Sequence, residues 1–162
     1  KDSAEKKAGF QTMENGFDSL KIRFWLGYVF SEKEQVIEIE FANNKWTGTL
    51  FNLTNEYGPN SDTIISVKRE IKNVVPKSGW AKLTESLFNL DVLTLPSFET
   101  ISKYTISTDA SMINVQVAMK NIYRIYFYPS PSHNEDLPEG KKILKIMNLL
   151  QNELDFKLVR NI

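Results

Sequence analysis

The chain has 162 residues, 20 Lys and Arg against 20 Asp and Glu, one His and no Cys. Its 41% hydrophobic and 25% charged residues are ordinary for a globular domain and exclude wholesale disorder. Balanced charge gives no bulk attraction to nucleic acid, and the lack of Cys excludes disulfides, thiolate catalysis and Cys-ligated metals.

The opening stretch, Lys1 to Gly9, is polar and without apolar periodicity. It reads as a tether following a removed export signal, and residues 1–18 as a flexible N-terminal tail. Residues 19–162 read as one domain. From Leu20 to Phe30 apolar residues recur at every second position, the pattern of a strand with one apolar face. Val36 to Ala42 and Lys45 to Leu53 flank Asn43-Asn44, a pair that tolerates the positive φ of a two-residue hairpin turn. Pairing across that turn sets Phe41 opposite Trp46, Ile39 opposite Gly48 and Ile37 opposite Leu50. A slip of one residue would mix the apolar and polar faces.

Thr63 to Ile71 alternates again. Ser78 is placed to cap a helix carrying Trp80, Leu83, Leu87 and Phe88, ending near Asn89. Leu93 to Pro96 reads as an extended connector, and Tyr104 to Ser107 as a short strand. Met112 to Lys120 and Ile122 to Tyr128 are two further strands. Asp136-Leu137-Pro138-Glu139 resembles a capping box for a last helix with the stripe Ile143, Ile146, Met147, Leu150 and Leu154. Its charges oppose the helix dipole, so packing of the stripe must hold it. This order predicts an α+β domain, a mostly antiparallel sheet of about six strands with two helices on one face. No apolar run approaches the ~20 residues of a membrane span.

Four short stretches, in this order, resemble small exported or lipoprotein-like proteins of the Bacteroidota, a family without known activity. They are Asn44 to Leu50, Pro76 to Trp80, Leu93 to Pro96 and Tyr123 to Tyr126. The resemblance implies a secreted or cell-envelope location, with a lipid tether upstream, and carries over no catalytic residue.

The sequence holds no nucleophile–base pair, metal-ligand cluster or Gly-rich phosphate loop, so no cofactor is expected and a non-catalytic role is. If Phe24 and Ile125 both face the core, then Arg23, Trp25, Arg124, Tyr126 and Tyr128 share the opposite sheet face. Trp and Tyr beside Arg favour recognition of a protein or glycan partner. A second site is the hydroxyl-ringed Asp109, a polar ligand loop. Two other functions compete. An inhibitor or immunity protein for a secreted toxin would present an acidic rim of Glu34, Glu38 and Glu40. A carboxylate-based hydrolase would use Glu38 and Glu40, about 7 Å apart on one strand face. Asn52-Leu53-Thr54 matches a glycosylation acceptor at a strand end. His133, in a Pro/Ser loop, is expected to be solvated.

Overall fold

The computed structural model describes residues 2–28, 31–59, 63–107 and 111–158. Six antiparallel strands form one sheet: β1 (Phe17–Tyr28), β2 (Lys33–Ala42), β3 (Lys45–Tyr57), β4 (Ile64–Asn73), β5 (Ser111–Lys120) and β6 (Ile122–Pro129). Their order in space is β4-β3-β2-β1-β5-β6. Among the described residues three α-helices accompany them: α1 (Asp2–Lys7), α2 (Trp80–Asn89) and α3 (Pro138–Leu154). The α+β class holds, with α2 and α3 packed on one sheet face.

The β2–β3 hairpin has the register its side chains require, with Phe41 opposite Trp46 and Ile37 opposite Leu50. Asn43 and Asn44 take φ of 51° and 58°, the left-handed geometry that suits the twist of a two-residue turn. Ile39 lies opposite Gly48. A Cβ at Gly48 would lie 2.5 Å from Cη2 of Trp80, so the missing side chain is what lets α2 settle on the sheet. Trp80 stacks on Trp46 there, ring centroids 6.5 Å apart.

The main core lies between this face and the two helices. Ile22, Phe24, Ile37, Ile39, Val115 and Val117 meet Leu83, Leu87, Ile143, Ile146 and Leu150, all buried. Three of the charges that oppose the α3 dipole, on Lys142, Glu153 and Asp155, find partners around α2. Lys142 pairs with Asp91, Lys77 lies 3.1 Å from Asp155, and the Glu153 carboxylate accepts the Ser78 backbone N–H at 2.8 Å. That last bond holds the Glu153 carboxyl below its usual range.

Four expectations change. The N-terminal stretch is no loose tail. Ala8 and Met13 are buried, and Phe10 packs with Trp25, Val36, Phe51 and Leu53 on the second sheet face. Burial of these scattered side chains holds the segment down, although their spacing has no period. Ser78 does not cap α2; Gly79 precedes it at φ 87° without a side-chain cap. The Asp136–Glu139 box does not form either: Leu137 stands at the N-cap and Pro138 opens α3. Tyr104 to Ser107 is not a strand. Its backbone is held by side chains instead. Asn134 accepts the Thr105 N–H and donates to the Thr105 carbonyl, both at 2.8 Å, and Ser130 Oγ accepts the Ser107 N–H.

Candidate functional site

The five residues expected on one aromatic–basic surface are split between two faces. Phe24 lies beside Val115, which lies beside Tyr126, so these three share the helix-covered face. Arg23 lies beside Gln116, which lies beside Ile125, on the other face. Phe24 and Ile125 therefore point in opposite directions. Strand β5 intervenes between β1 and β6, and its register sets the relation of the two alternations. Neither strand carries that information alone.

Arg124, Tyr126 and Tyr128 fasten the connector between α2 and the rest of the chain. Tyr126 donates to the Val92 carbonyl and Tyr128 to the Pro96 carbonyl, both at 2.7 Å. Arg124 donates to the Leu95 carbonyl at 2.7 Å and also to that of Leu93. Residues 92–96 make no strand or helix ladder, and the carbonyls of Val92, Leu93, Leu95 and Pro96 take side-chain donors. Three alternate residues of β6 supply them. Tyr126 and Tyr128 are fully buried and offer no surface for a partner.

Burial pushes the hydroxyls of Tyr126 and Tyr128 well above the usual tyrosine range, and that of Tyr104 to about 12. The folded chain thus keeps protons that the unfolded chain releases from about pH 10 upward. Stability is fully present below that pH and falls as pH rises through it. Urea midpoints measured from pH 8 to 11.5 are expected to be flat at first, then to drop beyond about pH 10. Tyr126→Phe should shallow the drop.

Arg23 and Trp25 lie on the second face under the N-terminal segment, 1% and 5% exposed. Arg23 donates from Nε to Glu38 at 2.6 Å, from Nη1 to Gln116 Oε1 at 3.2 Å and from Nη2 to the Gln11 carbonyl at 3.0 Å. Glu5 lies 3.7 Å away. The Trp25 indole N–H donates to the same Gln116 oxygen at 3.3 Å, and Gln116 Nε2 donates to Glu5 and to Tyr123. Phe10 closes the cluster, its ring 5.1 Å from Trp25 and 4.8 Å from Phe51, with the Arg23 guanidinium 4.8 Å from its centroid. Each guanidinium edge therefore has a polar acceptor or an aromatic face.

Glu38 and Glu40 are each held by a β1 cation, Glu38 by Arg23 and Glu40 by Lys21 at 3.0 Å. Two of the three acidic groups of the imagined rim, and both carboxylates of the imagined hydrolase pair, are committed to internal ion pairs. Asn52 lies within β3, not at its end, and its Oδ1 accepts from Gln35. Asp109 lies outside the described residues. Among the described residues no His, Asp and Glu side chains gather as a metal-binding cluster, and no helix is long and apolar enough to cross a membrane.

An open cleft of about 520 Å³ lies where α3 crosses the ends of β1 and β5. Leu26, Met112, Ile113, Leu144, Met147 and Leu158 line it with aliphatic surface, and Ser111, Ser132, His133, Asn148, Gln151 and Lys157 with polar groups. His133 is exposed, but it stands in a short 3-10 turn, Pro131–Asn134, that forms part of this wall. Alternation and helix periodicity account for Leu26, Ile113 and Met147 in the aliphatic lining, but not for Met112, Leu144 or Leu158. Nothing local in the sequence shows that the 3-10 turn and residues 157–158 close around it.

The fold and this geometry define an antiparallel α+β domain with an open cleft of mixed character under α3 and a covered aromatic–basic face. No protein-family model matches the chain, and no curated protein matches it.

Proposed function

We propose that this chain is a non-catalytic binding module whose ligand sits in the cleft under α3. The observation that carries the reading is an aliphatic floor bounded by a few polar side chains, within the ~300–1,000 Å³ range of small-molecule sites. Among the described residues the lining holds no Phe, Tyr or Trp ring as a platform for a sugar, and an aliphatic guest suits the walls. Lys157 supplies positive charge at the same cleft, with the amides of Asn148 and Gln151 as further donors. The guest is accordingly an amphiphile with an aliphatic body and an anionic head. An exported, envelope-associated setting belongs to the same proposal, supported by the resemblance to exported Bacteroidota proteins.

Isothermal titration with decanoate below its micelle-forming concentration tests this, with decanol as the uncharged control. Saturable binding of decanoate is expected. Lys157→Glu should weaken decanoate about ten-fold while leaving decanol unchanged, and Asn148→Trp, at an exposed helix position on the cleft, should weaken both. Equal loss of decanoate and decanol in Lys157→Glu, or no saturable binding at all, would remove the anionic amphiphile from the proposal.

A further inference from the structure

The second sheet face holds residues 5–11 much as a receptor holds a peptide. Among the described residues, the backbone-to-backbone hydrogen bonds of this segment run within the segment, Gly9 N–H to Lys6 and Phe10 N–H to Glu5. Its attachment to the sheet comes from side-chain anchors. Glu5 meets Arg23 and Gln116, Arg69 donates to the Gly9 carbonyl, Arg23 donates to the Gln11 carbonyl, and the Phe10 ring enters the pocket of Trp25 and Phe51. One aromatic anchor in a desolvated pocket, flanked by Arg pairs, is the anatomy of a recognition hot spot.

We infer that this face is a peptide-binding site, filled in cis by the chain's own N-terminal segment. In trans it takes a partner segment whose carboxylate and aromatic ring are spaced like Glu5 and Phe10. The site carries Arg23 and Arg69 for carboxylate and carbonyl groups and a two-ring pocket for the aromatic side chain. Displacement proceeds by peeling, not by exchange with a second copy, because the root of the segment is clamped. Gly16 has φ 82°, and a Cβ there would lie 1.6 Å from the Lys120 carbonyl oxygen. Met13, just before it, is buried, and its carbonyl accepts the Gly16 N–H. Residues 5–11 can lift from the face while 13–16 stay in place, so the intact chain is a self-blocked receptor.

The test uses the whole 162-residue chain with Phe10→Ala, which weakens the cis anchor, and a fluorescent peptide spanning residues 2–13. Anisotropy should show 1:1 saturable binding at least about ten-fold tighter than to the unmodified chain, whose site is occupied. Peptides carrying Glu5→Gln or Phe10→Ala should each bind about ten-fold more weakly. Far-ultraviolet circular dichroism and sedimentation accompany the titration. A folded Phe10→Ala chain that takes up no peptide overturns the inference. So does an unfolded one, because the segment is then part of the core. Dimerisation without peptide uptake overturns it as well, assigning the face to a second copy.

Discussion

Arg23→Ala is expected to destabilise the protein by about 3–5 kcal/mol in urea unfolding. Arg23 is 1% exposed and binds the Glu38 carboxylate, the Gln116 amide and the Gln11 carbonyl. Removing it leaves a carboxylate and two neutral acceptors beside a cavity under Phe10. Gln116 is buried, so water does not readily replace the donor its amide oxygen loses. Arg23→Lys should recover little, because one ammonium on a flexible stem cannot serve three acceptors held by a planar fork. A double change, Arg23→Met with Glu38→Leu, should be much milder than the sum of the single changes. It removes the ion pair together instead of stranding one charge. Full additivity would mean that the two side chains do not depend on each other.

Tyr126→Ala is the second large effect, expected at about 3–5 kcal/mol from the cavity of a lost ring. The ring is fully buried and sits edge-on to Tyr128, centroids 5.9 Å apart. Tyr126→Phe separates the hydroxyl from the ring. It leaves the Val92 carbonyl without its donor and should cost about 1–3 kcal/mol. These values place Tyr126 in the architecture. A Tyr126→Ala chain of unchanged stability would return this residue to the surface and undo the description of the connector.

What the sequence could show depended on how local the determining contacts are. The β2–β3 hairpin was legible residue by residue, because an Asn-Asn turn sets the register and the two-faced alternation admits one solution. The α3 stripe was legible because Ile143, Ile146, Met147, Leu150 and Leu154 all meet one surface. The aromatic–basic set is split in a way neither strand shows, because its two halves lie on strands separated by β5, whose pairing with each decides which residues share a face. The cover over Trp25 left no mark either. Ala8 and Phe10 reach the sheet from an irregular path, with neither helical nor strand spacing. Nor do Leu93, Leu95 and Pro96 reveal that their carbonyls are met by Arg124 and Tyr128. The cleft under α3 joins residues far apart in the chain, and only Leu26, Ile113 and Met147 among them carry a periodic signature.

The cleft is tested most directly by methyl-resolved NMR of the protein during titration with decanoate. The account predicts saturable shifts of the Leu26, Met112, Ile113, Leu144 and Met147 methyl groups, while the Trp25 indole N–H on the opposite face stays where it is. Shifts confined to the Trp25 face, or saturable binding that moves none of those methyl groups, would contradict it.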